Sequence, residues 1–219
     1  QKLQLRATDK AYRPIGEPVD VRLVSRKNLG TYGDAGAVTT DDEAVANMIG
    51  MLREHGMHVR YHHEHIGWNE RMDGIQGAVL NVKLPHLSAW NERRRILTAL
   101  YRKELMEVGD IRFIAEKPDR VSVYHLCVVR TTKRDALQKH LATKEIQTGI
   151  HYPIPLHLQK PMTQYGYAKG SFPHSERLSE EMLSLPMYAE LTEEQVREVK
   201  QGIAKVPKPA EIKGILDEY

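Results

Sequence analysis

Lys27 carries the most pointed chemistry in this chain. It follows Val19-Asp-Val-Arg-Leu-Val-Ser25, which alternates weakly as a strand does, and it precedes Asn28-Leu-Gly30. Gly30, Gly33 and Gly36 then punctuate a turn around Tyr32 and Asp34. A lysine at a strand end, close to packed backbone, can be desolvated. Desolvation favours a neutral amine, and a neutral amine can attack an aldehyde. By itself the residue reads more readily as a surface lysine beside Arg26. Asn69 and Arg71 stand just ahead of a helical pattern, where an asparagine amide and a helix N-terminus can both donate to a phosphate; a plain helix cap is the other reading. In His151-Tyr-Pro-Ile-Pro-Leu-His157 two prolines stiffen a loop that presents His151, Tyr152 and His157. Such a loop either contacts a ligand or packs as structure. His58, His62, His63 and His65 invite a metal reading. No spacing among them matches a metal motif, however, and no cysteine or carboxylate pattern completes one. No metal is expected; surface or substrate-facing imidazoles are.

These residues need elements to hold them. Ala35–Thr40 reads as a short buried strand. Thr40-Asp-Asp-Glu43 has capping-box spacing, ahead of a helix with Val45, Met48, Ile49 and Leu52 on one face and Gly56 as its stop. His58–Trp68 has no helical period and reads as an extended connector. A helical pattern resumes at Arg71 with Ile75, Val79 and Val82 in line, and Pro85 breaks it. Beyond the break, Leu87, Trp90, Leu97, Tyr101 and Leu105 form an apolar stripe on a charged helix. Val121–Val129 reads as a buried strand, Lys133–Ala142 as a short helix with Thr132 as cap, and Ile146–His151 as another strand. Residues 153–161 form a proline-rich loop, and Ser175–Leu185 places Leu178, Met182 and Leu185 at helical spacing. Thr192 and Gln195 form a second capping box, with Leu191 able to pack on Val196. The tail from Pro207 reads as a loosely docked end. Residues 110–205 thus read β-α-β-loop-α-α, a compact α+β unit, and 1–85 as pieces of a separate α/β layer.

The chain has 219 residues, of which 41% are apolar and 28% charged. That suits a globular protein with a sizeable core. The net charge is +3, with basic and acidic residues interleaved. So small an excess argues against nucleic acid or an anionic membrane as partner. No apolar run approaches the roughly 18 residues of a membrane span, and no signal peptide is visible, so a cytoplasmic location is expected. The single cysteine, Cys127, lies in an apolar run and reads as a small buried hydrophobe. The chain opens on Gln1 and not Met, as a processed or truncated product would.

Taken in order, the segments resemble a known family. Lys27-Asn-Leu-Gly-Thr-Tyr-Gly-Asp-Ala-Gly-Ala-Val38 looks like the lysine segment of the DegT/StrS pyridoxal-phosphate (PLP) sugar aminotransferases. Tyr61-His-His-Glu-His-Ile-Gly-Trp-Asn-Glu-Arg-Met-Asp-Gly-Ile-Gln-Gly-Ala-Val-Leu80 resembles their next signature. Lys83-Leu-Pro-His-Leu-Ser-Ala-Trp-Asn-Glu-Arg-Arg94 is similar to the helix that follows. Thr148–His157 and Leu183-Ser-Leu-Pro-Met187 resemble late motifs. The resemblance runs over about residues 27–205.

It implies an α/β chain: a partial fold type I aminotransferase, with a remnant of the large PLP domain over 1–85, a small α+β domain over 86–206 and a tail over 207–219. It also implies a homodimer. Lys27 would bind PLP as the Schiff-base lysine and shuttle a proton between cofactor and substrate carbons. Asn69 would reach the cofactor phosphate of the neighbouring subunit, and His151, Tyr152 and His157 would face the substrate. The amino group would pass, usually from glutamate, to the keto group of a nucleotide-diphosphate sugar, as in polysaccharide or antibiotic sugar biosynthesis.

Two departures stand out. The family's phosphate-binding serine, five residues before the lysine, falls on Arg22, with Ser25 out of register. Residues 1–26 also lack the phosphate loop, the ring-stacking residue and the aspartate that keeps the pyridine nitrogen protonated. Asp9 and Asp20 are in no such motif. Residues 1–26 therefore read as a lead-in unlike the family, of the kind a truncation or frameshift leaves, and the chain alone is expected to show little or no transaminase activity. The competing expectation is a non-catalytic remnant, a sensor or binding protein that has lost PLP.

Overall fold

The computed structural model describes residues 27–205 and the backbone of the strand Val19–Arg22. Ser25, Asp9, the side chains of Arg22 and Asp20, and the tail from Pro207 lie outside the described residues. The chain divides into two compact units, Gln1–Trp90 and Asn91–Tyr219. The division falls inside a helix, whereas the sequence pattern put it at Pro85.

In the first unit, β1 (Val19–Arg22) pairs antiparallel with β2 (Gly36–Thr39), Val19 opposite Thr39 and Arg22 opposite Gly36. Lys27 therefore lies in the connection of a β-hairpin. β2 alternates exposed and half-buried residues, so it is a sheet surface and not the buried strand expected over 35–40. Helix α1 spans Glu43–Leu52. Its cap is Asp42, whose carboxylate accepts from the Ala44 and Val45 amides. Thr40 Oγ1 accepts from the Asp42 amide instead, so the cap sits two residues later than the spacing suggested. Asp outcompetes Thr there because a charged acceptor also suits the helix N-terminus.

The connector forms a small hairpin of β3 (Met57–Val59) and β4 (His62–His63). Helix α2 spans Gly74–Lys83 and starts three residues after Arg71. A 3-10 turn at Leu84–His86 carries Pro85 as the expected break, and α3 runs over Leu87–Leu105. The core of this unit is small: Leu29 and Leu80, with Ala35, Ala37, Met72, Leu84 and Leu87 packed around them.

In the second unit, a three-stranded antiparallel sheet has the order β5 (Arg112–Phe113), β6 (Cys127–Arg130), β7 (Met182–Leu185). Helices α4 (Arg134–Ala142), α5 (Pro173–Glu181) and α6 (Glu193–Ala204) complete it. The core joins Leu97, Tyr101 and Leu105 of α3 to Cys127, Val129, Leu183, Leu185 and the apolar faces of α4 and α6. The stripe read along α3 thus delivers its buried face, and Cys127 is a core hydrophobe. Burial pushes its thiol up to about 12, which removes it as a nucleophile.

The elements expected over 121–185 shift. Of the expected strand 121–129 only the last three residues pair, within β6 (Cys127–Arg130), and 146–151 contributes a single bridge, Gly149 to Ser184. The helix expected over 175–185 ends at Glu181; Met182–Leu185 turns extended because its pairing with Arg130–Cys127 buries both faces. Sheet formation overrides the helical spacing of Leu178, Met182 and Leu185. Thr132 does not cap α4. Its hydroxyl donates to Asp110, as does that of Thr131. Further on, Thr192 and Gln195 form the expected capping box, and Leu191 and Val196 share the core.

Candidate functional site

Lys27 is half-buried, and the segment after it is fixed from below by α2. Leu29 packs on Leu80. Lys83 Nζ donates to the Gly30 carbonyl at 2.8 Å and lies 4.8 Å from the centre of the Tyr32 ring. The Tyr32 amide donates to Gln76 Oε1 at 2.8 Å, and Thr31 Oγ1 donates to the Gly33 carbonyl. A β-carbon on Gly33 would come within 3.0 Å of Gln76 Nε2, so the glycine lets the loop close on the helix. Two backbone anchors and one apolar contact thus hold residues 29–33, and the root of Lys27 is held with them. Lys83 is committed to this scaffold, which leaves Lys27 as the amine placed for chemistry. Gln76 and Lys83 were not singled out in the sequence. Their spacing of seven on one face of α2, after a glycine-rich loop, is the signal that could have found them.

Asn69 is exposed. It lies five residues ahead of α2, so it is not at a helix N-terminus as the sequence suggested. Its strand segment is strapped to the end of α1 by main-chain bonds. The His55 amide donates to the Trp68 carbonyl, Trp68 to Leu52, and Glu70 to Arg53, at 2.7–3.0 Å. Arg71 is paired with Glu54 at 2.9 Å. The four histidines of the connector are exposed, and among the described residues no three His, Cys, Asp or Glu side chains gather as a metal site requires.

In the second unit, His151 and Tyr152 are exposed, with their rings edge to face at 5.8 Å. His151 Nδ1 lies 2.9 Å from Ser184 Oγ. His157 corrects the expectation of a substrate-facing group. It is buried, its Nε2 lies 2.9 Å from Glu176 Oε1, and Phe172 packs edge-on against its ring. It ties the proline loop to α5 and keeps only 7% of its surface exposed. Glu176 also accepts from the backbone amides of Gly170 and Phe172. Those backbone bonds, Gly170's first, and His157 hold its carboxyl below the usual carboxylate value. A group with a lowered folded-state pKa stabilises the fold at pH above its unfolded value, about 4.3. That stability is lost as pH falls through the folded value. Glu176→Gln is therefore expected to flatten the acid limb of a stability-against-pH curve while shifting the neutral limb downward by a constant. An unchanged acid limb in thermal melts would refute this.

The residues that the resemblance assigns to PLP fit it in kind. A half-buried amine on an anchored loop suits an aldehyde, and an exposed carboxamide on a main-chain strap suits a phosphate. No helix among the described residues is long and apolar enough to cross a membrane.

Comparison with known proteins bears on the same residues. The family model for the DegT/DnrJ/EryC1/StrS aminotransferases matches residues 8–204, so the likeness extends upstream of Lys27 into the segment that had read as unlike the family. The chain is 39% identical to a "Pleiotropic regulatory protein" of Geobacillus stearothermophilus, over 94% of this chain and 56% of that one. It is 41% identical to a dTDP-3-amino-3,4,6-trideoxy-alpha-D-glucose transaminase of Streptomyces venezuelae, over 81% of this chain and 47% of that one. Among solved structures, S. venezuelae DesV in complex with a ketimine intermediate superposes with a TM-score of 0.84 at 37% identity, covering 87% of this chain and 51% of that one. The chain spans about half the length of the relatives it matches. A family match across nearly the whole chain, with the glycine-rich loop and α2 folded together after Lys27, shows that this chain belongs to the DegT/DnrJ/EryC1/StrS aminotransferase family, whose cofactor is pyridoxal phosphate, and that its fold is part of a fold type I aminotransferase.

Proposed function

We propose that this chain serves the transfer of an amino group, from glutamate, to a keto group on a nucleotide-diphosphate sugar, in a cytoplasmic homodimer. The observation that carries this reading is the anchoring of residues 29–33 on α2 directly after Lys27, in a chain of this family. Pyridoxal phosphate, when bound, supplies an electron sink that stabilises negative charge at the carbon bearing nitrogen. Lys27 Nζ binds its aldehyde and then, as a free amine, holds and moves the proton at the reacting carbon. The Asn69 carboxamide donates to phosphate across the dimer. His151 and Tyr152 orient the sugar. The relatives' printed substrates, such as the dTDP-linked amino sugar of the Streptomyces transaminase, support the substrate class.

Because the chain spans about half of each relative, we further propose that residues 1–219 by themselves sustain little turnover. The test supplies PLP, glutamate and a keto-sugar nucleotide, and follows 2-oxoglutarate and the aminated sugar by mass spectrometry. Cofactor capture on Lys27 with turnover near background is expected; ordinary turnover would overturn the second proposal. A second reading is a regulatory or binding protein that no longer holds PLP; the printed name of the Geobacillus relative supports its regulatory part. Complete failure of Lys27 to capture PLP would favour it.

A further inference from the structure

The loop bearing His151 is tied to β7 at one place. The Gly149 amide donates to the Ser184 carbonyl at 3.0 Å, and the Ser184 amide donates to the Gly149 carbonyl at 2.7 Å. His151 then folds its ring back over Gly149. A β-carbon on Gly149 would stand 2.6 Å from His151 Cε1 and 3.3 Å from Nδ1, so the ring position requires glycine there. Ser184 Oγ lies 2.9 Å from Nδ1. All three residues line one cavity of about 210 Å³, together with His125, Gln147 and Met187.

Ser184 is only 5% exposed, and its hydroxyl has one partner among the described residues, His151 Nδ1. A hydroxyl this little exposed is best satisfied by giving its single proton to the acceptor beside it, and Nδ1 is the acceptor within reach among the described residues. If Nδ1 carried the ring proton it would donate to Oγ, and the serine proton would have no protein acceptor among the described residues. If Nδ1 is the acceptor, the serine proton is used and the neutral ring carries its own proton on Nε2.

We propose that Ser184 and Gly149 are positioning residues that set His151 in its Nε2–H tautomer. Position 151 then presents a hydrogen-bond donor, and its ligand must offer an oxygen acceptor there, such as a carbonyl, hydroxyl or carboxylate oxygen of the sugar. The ligand part rests on the reading that His151 faces substrate. The tautomer does not, and it can be measured on the free protein.

The experiment is a long-range 15N–1H correlation spectrum of the uniformly labelled chain in alkaline buffer, with His151 assigned by loss of its signals in His151→Gln. The expected spectrum has an acceptor-type Nδ1 and a protonated-type Nε2. Ser184→Ala is expected to draw the two nitrogen shifts together as the tautomers mix, Ser184→Thr to keep them apart, and Gly149→Ala to reproduce the alanine result by displacing the ring. A protonated Nδ1 in the unsubstituted chain overturns the proposal. So do shifts in Ser184→Ala that match the parent. Failure to capture PLP would instead strike the functional reading and leave the tautomer assignment standing.

Discussion

Treatment of the chain with near-stoichiometric pyridoxal phosphate followed by borohydride is expected to attach one cofactor covalently, on Lys27, and Lys27→Ala is expected to attach none. Intact mass gives the count and peptide mapping gives the residue. The effect is all or none because borohydride fixes only an amine that has condensed with the aldehyde. The structure makes the experiment discriminating. Lys83, the other lysine of this scaffold, donates to the Gly30 carbonyl and lies against the Tyr32 ring, so its nitrogen is already engaged. An adduct that survives Lys27→Ala, or one that maps to Lys83, would remove the chemical basis of the assignment. In any assembly that turns over, loss of this acid–base group alone should cost about 10²- to 10⁴-fold in rate.

The second large effect concerns the fold around Asn69. Gly56 is buried at φ +74°, and a β-carbon there would fall 1.8 Å from the His65 carbonyl oxygen. Gly67 faces it from the segment that follows β4, where a β-carbon would meet the Gly56 amide nitrogen at 2.2 Å and the Leu52 oxygen at 2.7 Å. Every one of these contacts is with backbone, which has no rotamer to move away. Gly56→Ala is therefore expected to cost well over the roughly 1–2 kcal/mol that a left-handed backbone costs an ordinary residue. It should open the strap: hydrogen exchange at the Trp68 and Glu70 amides, which donate to Leu52 and Arg53, should rise by orders of magnitude. Gly50 gives the contrast. It lies inside α1 with nothing within 4 Å of an added β-carbon. Gly50→Ala should stabilise this unit by roughly 0.5–1 kcal/mol. Unchanged protection at Trp68 in Gly56→Ala would show that the two segments are not closed on each other as described.

How much of this was legible depended on whether the deciding interaction was local. The Thr192–Gln195 box was readable because both partners lie within one turn. The α3 stripe was readable because a 3.6-residue period maps directly onto a buried face. The break at Pro85 follows from one residue's missing amide. By contrast, Met182–Leu185 takes its form from a strand more than fifty residues away, and no local period reports that pairing. His157 looked like a ligand group because a proline-stiffened loop displays side chains. Glu176, nineteen residues on, draws it inside. At the site, Lys27 and Asn69 were found through resemblance, since their local signals were also those of a surface lysine and a helix cap. The groups that hold them, Gln76, Lys83 and the Gly56–Gly67 pair, emerge only when the loop and the helix are seen in contact.

The strap that carries Asn69 is closed by peptide groups, with the Arg71–Glu54 pair and the His63 ring bonded beside them. Its main-chain bonds do not depend on the side chains of Ile66 and Trp68. Ile66 and Trp68, 93% and 58% exposed on that strap, can be exchanged for other shapes without moving the asparagine between them and α2. Such a frame lets the outer surface diversify, residue by residue, while the anchor stays in register. A library randomised at Ile66 and Trp68 should accordingly retain folded members at a far higher rate than one randomised at Gly56 and Gly67.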